Sequence, residues 1–209
     1  VDVGGLPIDY SALNALLNKK RIKDLFIAET ENQQKLGRIL VLSDAAHSFG
    51  ASYNQKKVGS QADFTVFSFH AVKNLTTAEG GAICINLPKP FENEEVYKHL
   101  NTLSLHGQNK DALAKTQKGN WEYDVIDAGF KCNMTDILAS IGLVELERYE
   151  TETLPKRKEI FKMYSEGLAN FDWAIIPAYH NNTKESSYHL YLLRIKNCSK
   201  AQRDLIIQE

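Results

Sequence analysis

Apolar positions recur at helical spacing near the start of the chain. Leu13, Leu16 and Leu17 fall on one face of residues 11–20, with Ser11 as an N-cap. Residues 21–37 mix charge with Leu, Ile and Phe and predict a second helix, which Gly37 stops. Short continuous apolar runs follow at 39–43, 65–69 and 82–86. Runs of this kind, without alternation, predict strands buried on both faces. Helices are predicted at 91–104, after Pro88 and Pro90, and at 135–149, capped by Thr135 and lined with Ile137, Leu138, Ile141, Leu143, Val144 and Leu146. Another helix is predicted at 156–168, after Pro155. Residues 173–176 and 189–194 predict strands, with a polar loop at 178–187 between them. The polar stretch 107–124 predicts a long loop, and loops of that length in a compact domain are usually functional or mobile.

The order of elements predicts an α/β layer fold with a mostly parallel sheet in residues 1–152. The pattern changes in the last third, which predicts the start of a smaller α+β domain at 153–209. The chain begins mid-pattern at Val1-Asp-Val-Gly-Gly and stops inside a helical-looking segment. This reads as a piece of a longer chain.

Composition narrows the class. The 209 residues carry a formal net charge of −1, with 43% hydrophobic and 24% charged residues. That mix is globular rather than disordered. The charge balance argues against a nucleic-acid groove or an anionic membrane surface as the main partner. No apolar run is long enough to span a membrane, and no cleavable signal peptide is visible. Cys84, Cys132 and Cys198 are odd in number and far apart, so neither a disulfide framework nor a structural zinc site is expected, and a reducing cytoplasmic setting is the default.

The chemistry concentrates in one region. Asp44 follows the first apolar run, Ser68 lies at the end of the second, and Lys73 comes five residues later. If the two strands are parallel neighbours, their carboxyl ends share the sheet edge where open α/β folds bind ligands. An acid, a hydroxyl and an amine then face one crevice. A lysine tuned by its site forms Schiff bases with carbonyls. A carboxylate keeps a pyridine nitrogen protonated, and a hydroxyl donates to a phosphate. Together they suit pyridoxal 5′-phosphate (PLP), whose ring is an electron sink that the protein orients and tunes.

The flanking residues resemble a known family. Ser43-Asp-Ala-Ala-His-Ser-Phe-Gly-Ala51, Val58-Gly-Ser60 and Phe67-Ser-Phe-His-Ala-Val-Lys-Asn-Leu-Thr-Thr-Ala-Glu-Gly-Gly81 are similar to the DegT/DnrJ/StrS sugar aminotransferases. So are Gly129-Phe-Lys-Cys-Asn-Met-Thr-Asp-Ile137, Ala139-Ser-Ile-Gly142 and Tyr188-His-Leu-Tyr191. The resemblance implies the aspartate-aminotransferase (type I) fold of PLP-dependent transferases. It implies that Lys73 carries the cofactor and moves the substrate proton, that Asp44 pairs with the ring nitrogen, that His47 lies against the ring, and that Ser68 contacts the phosphate. It also implies a homodimer with shared sites, in which Asn133 or Lys131 reaches the phosphate of the partner's cofactor. Many relatives carry Asn and Arg where this chain has Lys131 and Asn133. The implied reaction moves an amino group from an amino acid, glutamate by preference, to a nucleotide-linked keto sugar for surface polysaccharide or related amino-sugar synthesis. The family's amino-terminal part, with a phosphate-cradling turn and an aromatic over the ring, precedes the region matched here, so this piece alone is expected to bind PLP poorly.

Each residue also has a plainer reading. Asp44 suits a helix N-cap, Ser68 an ordinary strand-end hydroxyl, and His47 a hydrogen-bonded, partly buried histidine. His70 is as readily structural as functional, Gly80-Gly81 suits a tight turn, Cys84 suits inert core, and His189 reads as packed rather than catalytic. A PLP-binding regulator or a degenerate, non-catalytic member is the alternative function. Relatives that dehydrate the sugar replace the lysine with histidine, and Lys73 argues against that branch.

Overall fold

The computed structural model describes residues 1–109 and 122–209. Helix α1 (Tyr10–Leu17) starts where the Asp9 carboxylate accepts the Ala12 amide at 2.9 Å. The helix predicted over 21–37 is instead two short ones, α2 (Lys20–Lys23) and α3 (Glu31–Leu36). Thr30 and Gln33 form a capping box that starts α3 independently, and Gly37 ends it in the left-handed region at φ 64°.

The central sheet holds β1 (Leu42–Asp44), β4 (Phe64–Ser68) and β5 (Gly81–Ile85), in the order β1-β4-β5. β1 and β4 are parallel, with Asp44 opposite Val66, while β4 and β5 are antiparallel, with Ser68 opposite Gly81. The far end is locked by Asp63. It takes both guanidinium nitrogens of Arg38 at 2.7 Å and the Val41 amide at 2.8 Å. Burial on both strand faces is not what the structure shows. Thr65 and Phe67 are buried, but Leu42 and Ile83 are exposed. One face packs on Ala45, Ala51 and Val58, with Phe49 and Phe69 around them, and the other is much more open. An apolar run says that a strand is apolar, not how many of its faces find cover.

A second sheet has the order β3-β2-β7, from β2 (Ser52–Tyr53), β3 (Lys56–Lys57) and β7 (Lys184–Glu185), so a late segment joins an early hairpin. β7 lies inside the predicted loop 178–187. Strand β6 (Ala174–Ile175) matches the predicted 173–176 and pairs with β8 (Arg194–Ile195). The predicted strand over 189–194 contributes only its last residue. Main-chain groups there are used elsewhere: the Ser187 amide donates to Gly5 and the Leu190 amide to Gly4.

Helix α4 (Asn93–Ser104) begins two residues after the predicted start. Helix α5 (Asp136–Arg148) is capped by Thr135 as predicted, and α6 (Leu154–Leu168) has Pro155 in its first turn. A wide turn, Tyr149–Thr153, joins them and buries Tyr149 at the junction. Ser199 and Gln202 cap α7 (Lys200–Gln208). Of the predicted loop 107–124, residues 110–121 lie outside the described residues. No helix among the described residues is long and apolar enough to cross a membrane.

Candidate active site

The parallel pairing of β1 with β4 puts Asp44 and Ser68 at the same edge of the sheet. Lys73 lies at the head of the loop that returns the chain to β5. That loop is pinned shut. Phe69 donates to the Gly80 carbonyl at 2.8 Å, Thr77 donates to Phe69 at 2.9 Å, and Lys73 donates to His70 at 2.9 Å. Asn74, Leu75 and Thr77, on the same loop, are buried. The lysine thus rides on a rigid platform, which is what a positioned amine requires.

His47 shows that these groups share one neighbourhood. Burial lowers its proton affinity, the Lys73 ammonium lowers it further, and the Asp44 carboxylate pulls the other way. Coulombic effects of this kind require proximity. The ring Nδ1 accepts the Gly4 amide at 3.3 Å, so a neutral His47 carries its proton on Nε2. The His47 main-chain carbonyl accepts the Ser187 hydroxyl. Gly5, at φ +99°, makes this fit possible, because a Cβ there would overlap that hydroxyl.

The polar atoms suit a ligand with an acidic ring nitrogen and an anionic tail. Asp44 commits Oδ1 to the Ala46 amide at 3.1 Å, and Oδ2 has no hydrogen-bond partner among the described residues. The Ser68 oxygen accepts the His70 amide at 3.3 Å, which leaves its own proton to donate. Lys73 has no ion pair or hydrogen bond at its amine among the described residues. No cluster of metal-ligating side chains occurs among the described residues.

Asn133 and Lys131 are bonded to each other, the lysine amine to the Asn133 carbonyl oxygen, and the Asn133 amide donates to Met134 at 3.2 Å. Their loop lies against the start of β5, where the Met134 side chain closes over Gly80. No contact among the described residues joins Asn133 to Asp44, His47 or Lys73. His70 faces Glu79 at 3.6 Å on the surface.

Two residues near Lys73 carry more than the sequence reading assigned them. Asn74 bonds Tyr149, Ser187 and His189, and His189 stacks on His47 with ring centroids 4.4 Å apart. The one sequence signal was position: Asn74 follows Lys73, and His189 lies inside the resembling block at 188–191.

Comparison with known proteins agrees over most of the chain. A model of the DegT/DnrJ/EryC1/StrS aminotransferase family matches residues 28–209. The spore coat polysaccharide biosynthesis protein SpsC of Bacillus subtilis is 36% identical over 158 residues, which is 75% of this chain and 39% of that protein. A Campylobacter jejuni UDP-4-amino-4,6-dideoxy-N-acetyl-beta-L-altrosamine transaminase is 35% identical over 164 residues, 78% of this chain and 39% of that one. Spr1654 of Streptococcus pneumoniae, described as a sugar aminotransferase and solved in its PMP form, superposes with a TM-score of 0.90 at 47% identity, covering 100% of this chain and 51% of that one. The chain spans about half the length, or less, of these relatives. Its fold is the type I fold of PLP-dependent transferases, and the chain belongs to the DegT/DnrJ/EryC1/StrS aminotransferase family.

Proposed function

We propose that this chain forms part of a cytoplasmic, PLP-dependent aminotransferase that moves an amino group from an amino acid, with glutamate as donor, to a nucleotide-linked keto sugar. The observation that carries the reading is the parallel pairing of β1 with β4, which sets Asp44 and Ser68 at one sheet edge, with Lys73 on the pinned loop that follows Ser68. Family membership adds the chemistry, and the solved PLP and PMP forms of Spr1654 support the cofactor. The printed names of the B. subtilis and C. jejuni relatives support a sugar substrate.

In this reading Lys73 is the attachment point and the base. Its amine takes a proton at Nζ from the substrate carbon and returns it, and the pinned loop holds it in line. Asp44, with Oδ1 on the Ala46 amide, would hold the ring nitrogen protonated. Ser68 donates its hydroxyl proton to the phosphate. His47, a donor at Nε2 while neutral, would support the ring of the bound cofactor. When bound, PLP supplies the electron sink that makes the substrate proton acidic. Overall the keto oxygen of the sugar leaves as water, a second water supplies the keto oxygen of 2-oxoglutarate, and the sugar carbon gains the amine, so no net water is made or used. The enzyme is a homodimer, and Asn133 or Lys131 contributes to the phosphate site of the partner subunit.

Borohydride reduction of the full-length protein with PLP tests the core of this reading. A reduced cofactor adduct is expected on the peptide containing Lys73, and Lys73→Ala abolishes it. Trapping on another lysine, or no protein-bound absorbance once free PLP has been removed, overturns the reading. A protein that traps PLP on Lys73 but transfers no amine from glutamate to any nucleotide-linked keto sugar is the non-catalytic family member instead.

A further inference from the structure

Around Lys73 the hydrogen bonds have only one consistent polarity. The Tyr149 hydroxyl lies 2.6 Å from the Phe49 carbonyl and must donate to it, because a carbonyl only accepts. Its lone pair is left for the Asn74 amide nitrogen at 3.3 Å. That same nitrogen lies 2.6 Å from the Ser187 carbonyl, another pure acceptor. Both contacts require –NH₂ on this side, which fixes the amide against a flip. Asn74 Oδ1 therefore faces His189 Nδ1 at 2.7 Å, and an amide oxygen can only accept. His189 must carry its proton on Nδ1, leaving Nε2 as a bare lone pair when the ring is neutral.

The stacked neighbour has the opposite tautomer. The Gly4 amide occupies Nδ1 of His47, so that ring carries its proton on Nε2. The His189 backbone is equally constrained. Tyr188 before it is buried and sits at φ 56°, a conformation uncommon outside Gly, Asn and Asp. The Tyr188 hydroxyl donates to Glu185 at 2.8 Å, and its carbonyl accepts Arg157 at 3.3 Å.

We propose that Asn74 is a positioning residue: it fixes His189 as the Nδ1–H tautomer stacked behind His47, so that the pair offers one donor and one acceptor and no charge beside Lys73. The groups that face His189 favour this state. His47, Lys73 and Arg157 all oppose a second proton on the ring, and burial opposes it most. Asp44, the carboxylate in reach of the pair, acts on His47. With the other tautomer, the Nδ1 lone pair of His189 would face the lone pairs of Asn74 Oδ1, and the ring would turn out of the stack. His47, which lies against the cofactor ring in the aminotransferase reading, would then lose its backing. Only the roles of Lys73 and His47 come from that reading, and the ring protons are observable without turnover, so the two can fail separately.

Histidine-selective ¹⁵N NMR of the full-length protein tests the assignment, with His189→Gln identifying the His189 signals by their loss. The wild-type protein is expected to show His189 protonated at Nδ1 and bare at Nε2, with no titration above pH 5, and His47 with the reverse pattern while neutral. Asn74→Ala is expected to release the preference, so that Nε2–H becomes a major form of His189. An Nε2–H form in the wild-type protein, a titration midpoint at pH 6 or higher, or an unchanged tautomer in Asn74→Ala overturns the proposal. If Asn74→Ala does not fold, the wild-type spectra still decide the tautomer, and Tyr149→Phe, which leaves the Ser187 anchor in place, is expected to retain Nδ1–H.

Discussion

Two carboxylates, Asp2 and Asp44, lie on adjoining segments and are joined by one main-chain bond, from the Asp2 amide to the Asp44 carbonyl at 3.0 Å. Their surroundings are opposite. Asp2 is fully buried with both oxygens engaged: Oδ1 accepts the Ile8 amide at 2.9 Å, and Oδ2 accepts the Tyr10 and Ser48 hydroxyls at 2.8 Å each. Because Tyr10 donates there, Ser43 must donate to Tyr10 at 2.7 Å, which closes the network. Asp44 is exposed, with one oxygen engaged and the other open. A buried carboxylate with both oxygens engaged holds a fold together. One left half-satisfied at a sheet edge is available to a ligand. Residue type does not separate the two roles, but the count of engaged oxygens does.

The difference should be largest in stability. Asp2→Ala takes the carboxylate from the Ile8 amide and the Tyr10 hydroxyl and leaves the Ser48 hydroxyl only the Ala45 carbonyl at 3.4 Å, and a cost of about 3 kcal/mol or more is expected. Urea unfolding measures it, and a loss of less than about 1 kcal/mol would break the distinction between closed and open carboxylates. Tyr10 belongs to the same network. Burial chiefly pushes its phenol well above the ordinary tyrosine range, so the network should stay intact through alkaline conditions that titrate surface tyrosines.

Tyr149→Phe sharpens the comparison, because it opens a closed network next to the open rim. It removes the donor to Phe49 and the acceptor for Asn74. A loss of about 1–3 kcal/mol is expected by thermal or urea unfolding. The ring itself fits without strain, since Phe adds no atoms to the space that Gly50, at φ +88°, leaves beside it.

The pH dependence gives a smaller effect with a definite sign. Burial first, and then His47, Lys73 and Arg157, push His189 down to about 4 from an ordinary 6.5. Between these values the unfolded chain binds a proton that the folded ring refuses. The contribution is therefore fully present above pH 6.5 and is lost as pH falls through about 4. With solvent screening, the loss is on the order of 1 kcal/mol. Unfolding midpoints from pH 7 to pH 4 should fall less steeply in His189→Asn, and an unchanged slope would place the ring in water.

The open half of this comparison was more legible in the sequence than the closed half. Asp44, Ser68 and Lys73 end or follow apolar runs, so local pattern and the parallel-neighbour rule place them on one edge. The Asn74–His189 bond spans 115 positions, and nothing local to either residue announces it. The strand predicted over 189–194 failed partly for the same reason, because the Leu190 amide goes to the distant Gly4 carbonyl, while the Leu193 amide turns back to Tyr191. The helix over 21–37 failed on a local signal that was present, the Thr30–Gln33 capping box, outvoted by continuous amphipathic composition. The predicted burial of both sheet faces failed because hydrophobicity along a strand does not record what packs on each side.

Asp44→Asn is the mildest substitution for the fold and the most telling for the site. The side chain is exposed, and an amide oxygen still accepts the Ala46 amide, so stability should stay within about 0.5 kcal/mol of wild type. The site should change much more. An amide cannot hold a ring nitrogen protonated, and loss of a charge-assisted bond of about 1.5–3 kcal/mol corresponds to roughly a tenfold to hundredfold weaker hold on the cofactor. Titration of the full-length variant with PLP, followed by absorbance, measures that loss beside the unfolding curve. A variant that binds PLP as the wild type does would make Asp44 a cap on its loop and nothing more. One that unfolds as readily as Asp2→Ala would erase the contrast between the two acids. Weak binding on an unshifted unfolding curve is the outcome that only an open, ligand-facing carboxylate produces.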